Sequence, residues 1–159
     1  MSEIFSKLFS GKKKELYFER DMSPDTGRKL DKDLNKNLDV INEYLSDCDD
    51  VIIRRFYINP PQKHRMALIY LDGLVDTKTV QQQILKSLMI FTRGKELEYS
   101  LGENFFNMVK EGLVTAADIK EVDNFGELIL AVLCGDTVLL LDKVEKAMII
   151  STRGWEKRG

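Results

Sequence analysis

The sequence predicts an α/β protein made of two small mixed α/β subdomains, each an αββ-type unit. Three observations predict it. A helical apolar stripe runs into a strand, turn and strand early in the chain, and the same order recurs late. The two copies also match at one constant offset, with Leu38, Ile41, Leu45, Asp49, Val51 and Ile53 answering to Phe125, Leu128, Val132, Asp136, Val138 and Leu140. Matches of this kind arise in any pair of αββ units. A single sheet with helices on one or both faces is therefore the structural alternative.

Residues 1–32 are charged and poorly periodic, carry Pro24, Gly27 and lysines at 12 to 14, and read as an N-terminal arm. Ile4, Phe5, Leu8 and Phe9 share one face of a short helix. That suits a basic amphipathic segment on anionic lipid or, the simpler reading with so few apolar positions, a helix docked on its own domain or frayed. The first subsidiary unit spans 33–98. Leu34, Leu38, Ile41 and Leu45 form one helical stripe. The acidic turn SDCDD leads into VIIRRFYI and, after a loop holding Pro60 and Pro61, MALIYL, two strands expected to pair. Asp76 or Thr77 caps a second helix whose buried face is written by Val80, Ile84, Leu85, Leu88 and Met89.

Polar residues from Arg93 to Gly102 mark a boundary, and the second unit spans 99–159. ENFFNMVKEG reads as a helix ending at Gly112, ADIKEV as a short edge strand, and DNFGELILAVLC as a helix buried on most sides and stopped by Gly135. TVLLLD and KAMIIST form a hairpin across Asp142 to Glu145. The chain then finishes on STRGWEKRG, with Trp155 beside the end, which reads as the outgoing edge of a domain rather than a designed terminus.

The 159 residues suffice for one domain or two small ones. Hydrophobic residues at 43% and charged residues at 31% describe a chain able to bury a core. With 24 basic and 26 acidic side chains the formal charge is -2, so the overall field gives no attraction for nucleic acid. No run approaches the roughly 18 apolar residues of a membrane span, and most lysines of the first residues follow the apolar positions instead of preceding them, the reverse of a secretion signal. Cys48 and Cys134 read as small buried hydrophobes.

Motifs for metal, acyl-transfer, nucleotide or dinucleotide chemistry are absent, so no catalytic residue, metal site or cofactor is assigned and the chain is read as a non-enzyme. His64, between Lys63 and Arg65, reads as a solvated loop histidine. Asp47, Asp49 and Asp50 lack the spacing and distal glutamate of a calcium loop and read as turn residues. Arg54 and Arg55 point to opposite faces of a strand, so one is expected to face inward or towards a neighbouring unit and to pair with a carboxylate.

Three separated segments, SDCDDVIIRRFYI, MALIYLDGLVDTKTVQQQILKSLM and CGDTVLLLDKVEKAMIISTRGWEKRG, resemble in that order the soluble N-terminal region of the A subunits of GerA-type spore germinant receptors. The resemblance covers residues 33–159. It rests on Asp50 with Arg54 and Phe56, on Tyr70, Asp72, Gly73, Leu74, Val75 and Asp76, on Gly135 with Asp136, and on Arg153, Gly154 and Trp155. It implies two small α/β subdomains resembling lobes of substrate-binding proteins, truncated here before a membrane domain that embeds the full-length protein in the spore inner membrane, with this region on the cytosolic or core side. It also implies B and C subunits as partners and small nutrients (amino acids, sugars, nucleosides) as triggers.

The resulting expectation is a domain involved in nutrient sensing, receptor assembly and signal transduction, with a change of angle between its lobes and weak ligand binding between them. Arg54, Tyr70, Asp72 and Arg153 are the ligand-binding candidates, and Trp155 is a packing anchor at the interface or linker. The alternative is a purely structural subunit-assembly module that binds nothing small.

Overall fold

The computed structural model describes residues 27–58, 64–88, 102–114 and 117–152. The N-terminal arm up to residue 26, the Pro60–Pro61 loop, Met89, most of the boundary from Arg93, and both Arg153 and Trp155 lie outside the described residues.

Asp33 starts the first helix, α1 (Leu34–Tyr44), by accepting the Asn35 N–H, one of the donors a helix N-terminus leaves without an internal partner. Spacings of four, three and four then put Leu34, Leu38, Ile41 and Leu45 on one buried stripe. β1 (Val51–Ile58) and β2 (His64–Leu71) follow and pair antiparallel in an eight-residue register from Val51↔Leu71 to Ile58↔His64. Asp76 precedes α2 (Thr77–Val80), its carboxylate accepting from the Thr79 hydroxyl at 2.9 Å and its backbone carbonyl from the Val80 N–H at 3.0 Å. The helix runs on through a π-helical stretch, Gln81–Leu85. Val80, Ile84 and Leu88 are its buried residues, with Leu85 partly buried against them.

α3 (Glu103–Leu113) runs past the expected stop at Gly112, which sits buried inside its last turn. Ending one residue later lets Leu113 close into the core. β3 (Ile119–Val122) is the expected edge strand. α4 (Phe125–Leu133) begins with a reciprocal cap in which Asn124 accepts the Glu127 N–H and donates its amide to the Glu127 carboxylate. It ends in a Schellman motif: Gly135, at φ 99°, donates to Val132 while Asp136 donates to Ala131. β4 (Thr137–Leu141) and β5 (Ala147–Ile150) form the expected hairpin.

Among the described residues all strand-to-strand pairings are antiparallel and the order is β1-β2-β4-β5-β3, one five-stranded sheet. The two αββ-type units are its two sides, joined where Met66–Ile69 of β2 pairs with Val138–Leu141 of β4. The α/β class stands, and in the described residues the units share a sheet, the arrangement named above as the structural alternative. A change of angle between them would have to break that shared ladder.

Side chains alternate across each strand. Ala67, Ile69, Leu71, Val138, Leu140, Ala147 and Ile149 therefore meet α1 and α4 on one face. Met66, Leu68, Tyr70, Leu139, Leu141, Met148 and Ile150 meet α2 and α3 on the other. Every residue of β4 and β5 is buried, which explains why TVLLL and AMII show no apolar–polar alternation. Past β5, the buried Thr152 hydroxyl donates to the Gly135 carbonyl at 3.0 Å. Its single proton is then spent, so the Thr137 hydroxyl donates to it at 2.9 Å.

Gly135 occupies the left-handed region that a side chain disfavours. Gly135→Ala is expected to lower stability by about 1–2 kcal/mol in urea denaturation, with the Schellman bonds weakened. An unchanged midpoint counts against this account of the α4–β4 turn.

Candidate functional site

The most developed polar arrangement among the described residues lies where α1 starts, β2 starts and β4 turns into β5. Asp142 joins all three. Its Oδ1 accepts the Leu34 N–H at 3.0 Å, and its Oδ2 accepts Arg65 Nε and Nη2 at 3.2 and 2.9 Å. Main-chain bonds run parallel to these, from Asp142 N–H to the Arg65 carbonyl at 3.0 Å and from Lys143 N–H to the Lys32 carbonyl at 2.7 Å. A carboxylate on the first N–H of a helix is favoured by the helix dipole as well as by the hydrogen bond. Burial alone would raise the Asp142 carboxyl, but the Leu34 amide and the Arg65 guanidinium outweigh it and hold the group below the usual carboxylate range. Arg65 is raised correspondingly by the hydrogen bonds it donates to Asp142.

The approach to α1 is locked from within. Asn37, wholly buried, accepts the Asp31 N–H at 2.8 Å and donates to the Asp31 carbonyl at 2.7 Å. Two residues earlier, the exposed Asn35 accepts from Arg55 at 3.3 Å, tying α1 to β1. These contacts border a groove of about 530 Å³ with Arg55, Tyr57, Arg65 and Asn35 as its polar lining and Leu34, Phe56 and Met66 as its apolar lining. Its size is that of a small-molecule site, yet it is open, and Arg65 is already held by Asp142. What it can do chemically is attract a carboxylate or a polar segment towards Arg55. No nucleophile with an adjacent base is assembled there.

The ligand candidates from the sequence are dispersed. Arg54 is exposed on β1, and the register makes it a diagonal neighbour of Tyr70 on the same face of the sheet. Tyr70 is fully buried beneath α2 and α3, and its hydroxyl has no hydrogen-bond partner among the described residues. Asp72 is exposed just beyond β2, at the far end of the strand from Arg65, and accepts from Thr77 at 3.5 Å. Neither Arg54 nor Arg55 turns into the core, contrary to expectation, because β1 is the outermost strand.

His64 also departs from its expected place. It opens β2, is buried, and stacks on Phe105 with ring centroids 3.8 Å apart, since the strand begins earlier than MALIYL suggested. Asp49 and Asp50 are exposed in the turn before β1, where the Asp50 carbonyl accepts the Asp72 N–H. Both cysteines are free thiols and half-buried, and burial pushes the Cys48 thiol up. Sequence reasoning missed Arg65, Asp142, Asn35 and Asn37. Arg65 and Asp142 meet only because β2 and β4 pair, and no local pattern signals that.

Comparisons with known proteins agree on one family. The model of a family described as "Bacillus/Clostridium GerA spore germination protein" matches residues 39–159. The chain is similar to the spore germination protein GerLA of Bacillus cereus, 31% identical over 97 residues, which is 59% of this chain and 18% of that protein. It is similar to the spore germination protein KA of Bacillus subtilis, 25% identical over 125 residues, 79% of this chain and 22% of that protein. It thus spans about a fifth of the length of these curated relatives. A crystal structure of the N-terminal domain of the A subunit of the Bacillus megaterium spore germinant receptor GerK3 matches with a TM-score of 0.68 and 28% identity, over 84% of this chain and 50% of that one.

Because the folded Asp142 carboxyl lies below its ordinary value, its contribution is full at neutral pH and is lost as pH falls from the ordinary carboxylate range through the depressed folded value. Asp142→Asn is expected to cost about 1–2 kcal/mol at pH 7. The asparagine oxygen can still accept the Leu34 N–H, so the loss comes from the charge in that bond and from the pair with Arg65, which is half exposed and screened and supplies the smaller part. The gap to the parent protein should shrink in denaturation curves taken at progressively lower pH. A gap that is the same at every pH contradicts the charge-based account.

Proposed function

The chain belongs to the Bacillus/Clostridium GerA spore germination protein family, and we propose that it forms part of the N-terminal domain of the A subunit of a spore germinant receptor, serving receptor assembly and signal transduction in germination. The observation that carries this reading is the fold match over 84% of the chain to the A-subunit N-terminal domain of the GerK3 receptor. Its partners in this reading are the B and C subunits. The full-length protein sits in the spore inner membrane with this domain on the core side. Among the described residues no helix is long and apolar enough to cross a membrane.

Nutrient sensing by this domain is the finer part of the proposal. The groove beside Arg55 is large enough for an amino acid, a sugar or a nucleoside and has a cation to orient one. A specific observation favours the second reading, a purely structural module: the two αββ-type units are joined by β2–β4 pairing, which opposes closure of one unit over a ligand on the other. The domain acts without catalysis in both readings.

Deleting this segment from the receptor A subunit is expected to abolish the germination response and to prevent recovery of the B and C subunits with it from spore inner membranes. Normal assembly and germination would refute the receptor role. Amide shifts titrated with amino acids, sugars and nucleosides separate the two readings: shifts localised around Arg55 and Arg65 support nutrient binding, and none with any of them supports the structural module.

A further inference from the structure

Hydrogen-bond donors line the groove beside α1. Asn35 contributes them from the first turn of the helix, Arg55 from β1 and Arg65 from β2. The strand register sets Arg55 opposite Ala67 and Tyr57 opposite Arg65, so the two arginines are diagonal neighbours on the α1 face of the sheet. Arg55 donates one of its five N–H groups to Asn35 Oδ1 at 3.3 Å, and Arg65 donates through Nε and Nη2 to Asp142, so both guanidinium groups keep further N–H groups. The Asn35 amide nitrogen, on the other arm of the carboxamide, brings two more.

The carboxamide and carboxylate oxygens beside these donors are already engaged. Asn35 Oδ1 holds Arg55, while Asp142 holds the Leu34 N–H on one oxygen and Arg65 on the other. The two arginines also differ in charge balance. Asp142 pairs with Arg65 and Asp33 lies near enough to act on it, whereas Arg55 bonds to a neutral carboxamide and keeps its positive charge uncompensated by that bond.

We propose that this groove binds a small monocarboxylate with an apolar body. Arg55 and the Asn35 amide hold the carboxylate, and the body lies along the lining made by Leu34, Phe56 and Met66. A guanidinium fork matches the two carboxylate oxygens, and an ionised acid accepts hydrogen bonds without needing an acceptor in return. The ammonium of an α-amino acid and the hydroxyls of a sugar or nucleoside do need acceptors, and leaving them unmade costs binding. A phosphate dianion carries more negative charge than Arg55 offsets, with Asp33 and Asp142 close by. The inference rests on the reading of this groove as a ligand site and narrows what enters it, favouring simple acids over zwitterionic and neutral nutrients.

The test titrates the full 159-residue chain with isocaproate, with its neutral amide isocaproamide, and with leucine, which is isocaproate bearing an ammonium. We expect saturable shifts from isocaproate at the Leu34, Asn35, Arg55 and Arg65 amides and at the Arg55 Nε–H, weakening with added salt. Isocaproamide should bind about tenfold more weakly or worse, and leucine should also bind more weakly than isocaproate. Arg55→Gln should weaken isocaproate about tenfold. Asn35→Asp supplies a second variant whose fold is not at stake, because a carboxylate suits the first turn of a helix; the new charge should occupy Arg55 and abolish binding. No saturable shift, isocaproamide or leucine binding as tightly as isocaproate, shifts centred elsewhere, or parent-like binding by the Asn35→Asp variant would each overturn the proposal. Sugars or nucleosides shifting these residues while isocaproate does not would sink this inference and leave nutrient sensing standing. Isocaproate binding with no shift from leucine or from any sugar or nucleoside would do the reverse.

Discussion

Four residue pairs, Met66↔Leu141 through Ile69↔Val138, hold the β1–β2 hairpin against the β4–β5 hairpin. Alternation along both strands commits each pairing to two faces at once. Ala67, Ile69, Val138 and Leu140 go under α1 and α4, while Met66, Leu68, Leu139 and Leu141 go under α2 and α3. A slip of one residue would send each set to the opposite layer. The helices depend on that register for their docking surfaces, and the clamp around Asp142 depends on it for the meeting of Arg65 with the β4–β5 turn.

The clamp in turn sets where α1 begins. A helix start leaves its first N–H groups without internal partners, and here Asp33 and Asp142 accept from Asn35 and Leu34 while Asn37 fixes the residues before them. The consequence is a rigid border, made by α1 and β2, beside a strand edge that no described residue covers. At the other end of the strand order, β3 carries ion pairs between Lys110 and Glu121 and between Lys120 and Glu127.

Secondary structure was largely legible because its signals are local. The stripe from Leu34 to Leu45, the strands VIIRRFYI and TVLLLD, the edge strand near Ile119 and the stop at Gly135 all emerge from spacing, residue shape and turn chemistry within a few positions. The local reading failed where burial outweighed the nearest neighbours. His64 has cations on both sides in sequence yet stacks on Phe105 from a helix some forty residues on, and Gly112 is carried through its helix because Leu113 has a core to enter. Arg54 and Arg55 alternate as predicted, but whether a strand is central or outermost is not written in its own residues.

The sequence by itself determined that this chain makes α/β structure with two helix–strand–strand units and, through several ordered matches, which family it resembles. Those properties reside in short-range periodicity and in residue identities. Tertiary structure alone decided that the described strands share one sheet, that Asp142 meets Arg65 and the start of α1, and that β1 stands at one end of the order of described strands. Each of these depends on contacts between residues far apart in the chain, whose free energy comes from burying both faces of β2 and β4 together, and no local pattern encodes which distant strand will be the partner.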